Sequence, residues 1–275
     1  LARFFDKKQN FFYEYPTDID FSDVPKSILV IPFVMNFMPL TWLSGVTLEV
    51  AELDDSFYNA LPEILKGLKK VYYDVEFTGK LHVKNVQKNN NKTDGKPGVL
   101  FSGGEDAVST LISHIEEAPV LINVWGADIL LDDYSDHQVI ERDLMNFTKQ
   151  LNLDFFFIKS SLRWCFNEEE LHKEYMPILK DTWWHGIQHS IGLLSLLAPY
   201  DYIKNVSINY IASSFTEKEV GIIRCVNYPF IDNKVRMMNT ICIHDGFEYK
   251  RIDKIRNIVD FCNQSNKFIK LKVCF

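Results

Sequence analysis

The sequence predicts an α/β fold, a mostly parallel, doubly wound sheet joined to a smaller N-terminal α+β region. Three observations carry this expectation. Beyond residue 98, short unbroken apolar runs alternate with helical stretches whose apolar residues recur every three or four positions, as expected for strands buried on both faces between helices. The runs end at small or polar residues: Ser102-Gly103-Gly104, Gly126-Ala127-Asp128 and Ala212-Ser213-Ser214. A chain of 275 residues, 47% hydrophobic and 24% charged, can bury the core of one large domain.

Along the chain, Asp23-Val24-Pro25 reads as a helix start leading into the apolar segment 28–38, with a kink expected at Pro32. Residues 46–50 alternate as a strand does. Asp54 or Asp55 then caps a helix that brings Leu61, Ile64, Leu65 and Leu68 onto one face. Residues 71–86 read as one long strand or two short ones. Residues 88–98 are polar and lack apolar periodicity. An exposed linker or long loop over 89–98 is therefore expected to divide an N-terminal region, 1–88, from a main domain, 99–275. There the expected order is strand 99–101, helix 107–117, strand 120–125, helix 136–151, strand 155–158, apolar helix 181–197 and strand 206–211. In such sheets ligands bind beyond the carboxyl ends of the strands, where all three small-residue turns fall.

The first turn is the most informative. In Phe101-Ser102-Gly103-Gly104-Glu105-Asp106-Ala107 an apolar run stops at two glycines and a helical pattern follows. Paired glycines let the backbone bend without a Cβ penalty and bring its N–H groups close to a ligand. A helix start adds free N–H groups and a positive dipole end, which suits an anion such as phosphate. The plainer reading is a strand-to-helix turn with glycine for geometry, and the loop alone does not separate the two.

Composition narrows the function classes. A formal charge of −7 argues against a general nucleic-acid binder. The cationic runs Lys66, Lys69, Lys70, Lys80, Lys84, Lys88 and Lys250, Arg251, Lys254, Arg256 read as solvated faces. The five cysteines, Cys165, Cys225, Cys242, Cys262 and Cys274, form no CxxC pair and fit free thiols. The longest apolar segment, 28–43, is interrupted by Pro32, Asn36 and Pro39 and is too short to span a bilayer. With no signal peptide in view, a cytoplasmic protein without a membrane partner is the expectation.

The glycine turn resembles the Ser-Gly-Gly-x-Asp-Ser loop of the PP-loop ATP pyrophosphatases, adenine-nucleotide α-hydrolases of the HUP/PP-loop fold type. The likeness runs from about residue 99 to 258 and is strongest to the 7-cyano-7-deazaguanine synthase-like enzymes. It rests further on Trp125-Gly126-Ala127-Asp128 with Asp132-Asp133 behind it, on Trp184-His185-Gly186 and on Ala212-Ser213-Ser214. Pro229-Phe230-Ile231-Asp232-Asn233-Lys234 and His244-Asp245-Gly246, with Arg251 and Lys254 after them, complete it. The front region matches the layout of one branch of that group.

This resemblance implies that Ser102, Gly103, Gly104, Glu105 and Asp106 cradle the outer phosphates of ATP. Ser102 and Asp106 would be catalytic, and Asp106 would help hold Mg²⁺. Ser109, Trp125, Gly126, Asp128, Ser213 and Ser214 would complete the nucleotide site. His185, Asp232, Lys234, His244, Asp245 and Arg251 would meet substrate or pyrophosphate. The implied activity is ATP-dependent adenylation, with release of pyrophosphate, of a small-molecule or protein acceptor (a carboxylate) that an amine or ammonia then attacks.

Two departures stand out. The last serine of the family loop is Ala107 here, so one hydroxyl is missing unless Ser109 or Thr110 supplies it. Relatives carry a zinc-binding cysteine cluster just past the point where this chain stops, so no zinc cluster is expected within residues 1–275. His185 and His189 lie one helical turn apart, as metal-binding pairs do, but the intervening residues lack the glutamate of a zinc hydrolase. The competing reading has His185 on substrate and His189 packed nearby. Plainer readings also stand for Asp128 as a turn former, Ser213 and Ser214 as strand-end caps, and His244-Asp245-Gly246 as a turn. Two other functions fit the same residues. One is a non-catalytic nucleotide-binding subunit of a multi-protein system. The other is a tRNA-modifying PP-loop enzyme, against which the acidic balance weighs. A homodimer or a partner protein is compatible with each.

Overall fold

Along the central strands, alternate residues sort onto two faces. Val99, Phe101 and Leu121 pack with Val108, Leu111, Leu144, Phe147 and Ile258 in one buried cluster. Leu100, Ile122, Val124 and Ile158 pack on the opposite side with Ile191, Leu194 and Ala198. Burial on both faces explains why these strands lack polar alternation, and it requires helical layers on either side. A computed structural model, describing residues 1–272, has that architecture.

The chain begins with β1 (Tyr13–Glu14), α1 (Lys26–Leu29), α2 (Ile31–Ser44), β2 (Thr47–Asp54), α3 (Asp55–Val71) and β3 (Lys80–Gln87). It continues through β4 (Gly98–Leu100), α4 (Glu105–Ser113), β5 (Val120–Trp125), α5 (Tyr134–Leu151), β6 (Phe155–Ser160) and α6 (Glu168–Leu179). A π-helical turn (Trp184–Gln188) leads into α7 (His189–Ser195), followed by α8 (Ala198–Lys204) and β7 (Ile208–Ala212). The last described elements are α9 (Pro229–Asp232), β8 (Arg236–Met237), β9 (Thr240–Asp245) and α10 (Arg251–Ser265).

Seven strands form the main sheet in the order β1-β6-β5-β4-β7-β9-β8. The inner five run parallel, and β1 and β8 are antiparallel edges. Helices α4, α5 and α10 cover one face. Helices α7 and α8 cover the other, backed by α1 and α2. The chain climbs from β4 through β5 to β6, then crosses to β7 on the far side of β4. The strand order therefore reverses between β4 and β7.

The front region differs from the expectation of a layer set apart by a linker. Residues Tyr13 and Glu14 pair with Ser160 and Lys159 and extend the main sheet. Buried residues of α2 and α3 share one core with those of α7 and α8. The stretch 89–98 is pinned down. Asn91 is buried, and its amide donates to the Val206 carbonyl at 2.8 Å and to Thr240 Oγ1 at 3.0 Å. The amide of Asn89 donates to Asp54 Oδ1 at 3.0 Å, and Asp54 caps α3 through the Phe57 N–H. A Cβ on Gly95 would lie 1.8 Å from the Lys204 carbonyl oxygen. An exposed linker would tolerate or even gain from alanine at that glycine. Gly95→Ala is instead expected to lower the melting temperature by about 5 °C or more, at about 2–4 °C per kcal/mol for a chain of this size. A thermal melt followed by circular dichroism checks it.

Other boundaries move for identifiable reasons. The kink expected at Pro32 is a break at Val30 between two helices. Pro32 sits in the first turn of α2, where its missing N–H costs nothing. The strand expected over 71–86 is only β3. Helix α3 runs on to Val71, and Tyr72 is buried with its hydroxyl donating to the Gly186 carbonyl at 2.6 Å. The helix expected over 181–197 is broken by the π turn, where Trp183 Nε1 donates to Gln188 Oε1 at 2.9 Å.

One buried acid makes stability depend on pH. Asp201, fully buried in α8, accepts a 2.6 Å bond from the Asn209 amide, while its other oxygen has no partner. Burial raises its carboxyl well above the ordinary range, against the pull of that bond. In the unfolded chain the group ionises near pH 4. Between that pH and the raised native value, the folded state therefore binds the extra proton, and stability falls as pH rises. Asp201→Asn should remove this slope. Its melting temperature is expected to exceed the wild type's at pH 8, with the gap closing toward pH 4. Paired melts across that range measure it.

Candidate functional site

Where strand order reverses, the loops after two neighbouring strands diverge and leave a crevice at their carboxyl ends. Here the crevice is a cleft of about 420 Å³. Its walls are the turn after β4, including Ser102, Gly104, Glu105 and Asp106, and the end of β7, including Ala212 and Ser214. Asn123, Asp128, His189, Arg251 and Lys272 complete its polar lining, and Leu100, Ile122, Val124, Leu193 and Ile211 form an apolar wall.

The two glycines of the turn have different tasks. Gly103 has φ +79°, so the backbone requires glycine, and a Cβ there would lie 2.7 Å from Leu144 Cδ2, whose side chain would have to move. Gly104 has φ −75° and is the N-cap of α4, with no side chain capping the helix. A Cβ on it would meet only Ser102 Oγ at 3.3 Å and the Lys272 carbonyl at 3.7 Å. The turn is braced by a 3.2 Å bond from the Gly104 N–H to Ser102 Oγ, and by another of 2.8 Å from the Lys272 N–H to the Gly103 carbonyl. Asn123 extends the bracing. Where the β4–β5 pairing ends, its amide donates to the Phe101 carbonyl at 2.8 Å.

A second helix start faces the first. Arg251, the first residue of α10, lines the cleft, with its Nε 3.4 Å from Glu105 Oε2. One turn later, Lys254 Nζ lies 2.6 Å from Asp106 Oδ1 and also donates to the Ser213 carbonyl. Lys254 is buried, contrary to the solvated face expected of this cationic run. Its partner Asp106 anchors it in the sheet's crevice. Two positive helix ends, with Arg251 on Glu105 and Lys254 on Asp106, thus meet at the acidic pair, and Lys272 lines the same cleft. Burial raises the Glu105 carboxyl, with Arg251 pulling the other way, and its Oε1 has no partner.

The cleft gathers Ser102, Gly104, Glu105, Asp106, Asp128, Ser214 and Arg251 from the residues singled out in the sequence. The others lie elsewhere. Gly103 turns away beneath the loop. Ser109 is buried, as is Thr110, and neither lines the cleft to replace the hydroxyl missing at Ala107. Trp125 stacks on His137 at 3.8 Å, and its Nε1 donates to the Leu130 carbonyl. Gly126 makes a turn at φ +105°, where a Cβ would lie 1.9 Å from the Ser160 carbonyl. Ser213 is buried with its hydroxyl on the Phe215 carbonyl. Lys234 is exposed away from the cleft. Asp245 pairs with His114 Nε2 at 3.0 Å.

Asp232 and His244 are wholly buried together. Asp232 accepts from Ser190 Oγ at 2.5 Å and from the Asn227 amide at 3.0 Å, and His244 Nδ1 lies 2.7 Å from it. The serine points at the acid rather than the imidazole, so the trio is not arranged for nucleophilic catalysis.

The two neighbouring histidines exchange their expected places. His185 Nδ1 is held by Asp181 Oδ2 at 2.5 Å, and His185 does not line the cleft, whereas His189 does. The ring of His189 stands edge-on to Trp184 at 5.0 Å, and its Nδ1 has no partner. Burial pushes this imidazole below its ordinary value, with Asp128 pulling upward. Among the described residues no group of three or more His, Cys, Asp and Glu side chains gathers to hold a metal. Cys165, Cys225, Cys242 and Cys262 are free thiols, and Cys274 lies outside the described residues. No described helix is long and apolar enough to cross a membrane.

Sequence reasoning missed Asn123 and Lys272, and weighed His189 only as a metal partner of His185 or a packed neighbour. A polar residue within the apolar run 120–125 was the available signal for Asn123. Lys272 gave none, because chain folding alone brings it to the turn. Comparison with protein-family models, with curated proteins and with solved structures gives no match. The site is therefore read from its own geometry.

Proposed function

We propose that the cleft binds ATP and that the protein adenylates an acceptor, releasing pyrophosphate, on a sheet of the HUP type. One observation carries this reading: two helix N-termini, with Arg251 and Lys254 on the second, meet at a glycine turn. Such an arrangement favours a multiply charged anion. The strand reversal between β4 and β7 and the resemblance of the turn to PP-loop enzymes support the same reading. The apolar wall suits a base, and the volume lies in the range of small-ligand sites.

Asp106 fits a role toward Mg²⁺. One oxygen is on Lys254, and the side chain is one-quarter exposed. Magnesium is commonly held by one or two carboxylates plus substrate phosphates, and when bound it would neutralise charge on the departing pyrophosphate. The backbone of the turn positions the phosphates, Arg251 and Lys254 offset their charge, and the apolar wall excludes water. Positioning and charge stabilisation of this kind need no nucleophilic triad.

The test is calorimetric titration with Mg²⁺ and ATP whose α,β-bridging oxygen is a methylene, followed by incubation with α-labelled ATP and a search for AMP. Micromolar binding, weakened at least about tenfold in Asp106→Asn, is expected. No binding overturns the reading. A second reading, nucleotide binding without turnover, is favoured by Ala107. Ala107 stands at the cleft where the PP-loop family that the turn resembles carries a hydroxyl, and Ser109 and Thr110 are buried elsewhere. Binding without AMP formation, in the presence of candidate carboxylates and amines, would select it.

A further inference from the structure

Lys254 stands where electrostatics alone would not put a lysine. It lies in the first turns of α10 with Lys250 and Arg251, at the positive end of the helix dipole, where cations are disfavoured. Its side chain is only 4% exposed, although a lysine ammonium is strongly hydrated. What offsets these costs is a ready-made set of oxygens. Nζ is bonded to Asp106 Oδ1 in α4 and to the Ser213 carbonyl at the end of β7. Glu105, with a buried oxygen lacking any partner, immediately precedes Asp106 at the start of α4. A carboxylate, a backbone carbonyl and a nearby second carboxylate are the hard oxygen donors that bind divalent cations.

We propose that the Lys254 ammonium is a resident counter-cation, filling an oxygen-lined cation position that would otherwise take a metal ion. It ties the two sides of the crevice together before any ligand arrives. It also keeps Asp106 from collecting a free divalent ion, so that metal enters only with its anionic ligand. When phosphates occupy the turn, the same fixed charge, held behind Asp106, offsets part of theirs as an additional metal ion would. This deepens the nucleotide reading, on which its last step rests, while the occupied cation position does not depend on that reading.

Manganese, followed by electron paramagnetic resonance as free ion is depleted, tests it on the intact chain. Lys254→Met removes the charge at similar length, and Lys254→Gln serves if the first variant does not fold. Without nucleotide, the variant is expected to bind Mn²⁺ at least about tenfold more tightly than the wild type, and the double variant with Asp106→Asn is expected to lose that gain. Equal Mn²⁺ affinity in wild type and variant, or a gain that survives Asp106→Asn, overturns the proposal. A second arm uses the methylene analogue of ATP. Without metal, its affinity should fall at least about tenfold in Lys254→Met, and Mn²⁺ should restore most of it. If the wild type takes up no nucleotide but the variant gains the Mn²⁺ site, the nucleotide reading fails and the resident cation stands. If nucleotide binds and no Mn²⁺ site opens, the reverse holds.

Discussion

Gly104→Val is expected to remove nucleotide binding and leave the fold in place. A calorimetric titration with Mg²⁺ and the ATP analogue should show at least about a 100-fold loss of affinity, about 2.7 kcal/mol. The melting temperature should stay within about 4 °C of the wild type, since exchanging a glycine cap for valine costs about 1 kcal/mol. The two readouts separate because of where the new side chain goes. Gly104 has an ordinary negative φ and lines the cleft, and the two closest atoms to an added Cβ are 3.3 and 3.7 Å away. The protein therefore accommodates the branch, but a phosphate approaching the backbone amides does not. Gly103→Val is the contrasting control. With φ +79° and Leu144 Cδ2 at 2.7 Å, it should damage stability and binding together. Retained affinity in Gly104→Val would mean that no ligand approaches this turn closely.

The parts of the fold that could be read in the sequence are those whose side chains had to be apolar on both faces. Strands β4, β5, β6 and β7 are such runs, and their alternate residues belong to two separate cores. Strand β9 escaped the same reading. Its inward residues are Thr240, Cys242 and His244, so the buried face carries polar atoms and lacks the usual contrast. Helix α10 was hidden for a related reason: of its fifteen residues only Lys254 and Ile258 are buried, one of them a cation. How firmly the stretch 89–98 is tied down was not legible, because the Asn91 amide donates to the Asp201 and Val206 carbonyls and the Asn91 carbonyl accepts from the Asn239 amide, partnerships that composition does not reveal.

The candidate site follows the same division. The glycine turn was visible because a backbone conformation limits residue choice locally, and Gly103 meets that limit. Residues whose place depends on two elements meeting could not be sorted from sequence. His185 and His189 look equivalent as neighbours on one helix. Asp181, placed four residues earlier, takes the first, and the second is left facing the cleft without a bond on Nδ1. Lys254 looked like one more surface cation until α10 laid its first turns against α4.

Asp232→Ala sets the resemblance against the structure most sharply. A residue in contact with substrate would show its loss in binding or turnover, with little change in stability. The structure makes the opposite outcome the expected one. The carboxylate is fully buried and receives hydrogen bonds from Ser190 and Asn227, while His244 Nδ1 lies within bonding distance. These partners come from α7, from the segment before α9 and from β9, so one acid ties three parts of the second layer to the sheet. Removing it leaves a hydroxyl, an amide and an imidazole buried without their acceptor, each worth about 1–3 kcal/mol and partly coupled. A total near 4 kcal/mol, or a fall of about 8–16 °C in melting temperature, is therefore expected. Asp232→Asn, which keeps the volume and one acceptor oxygen, should lose less. If Asp232→Ala melts like the wild type, the buried network is not what holds α9 and β9 together. If both variants keep their stability and lose only ligand affinity, Asp232 belongs to the site after all.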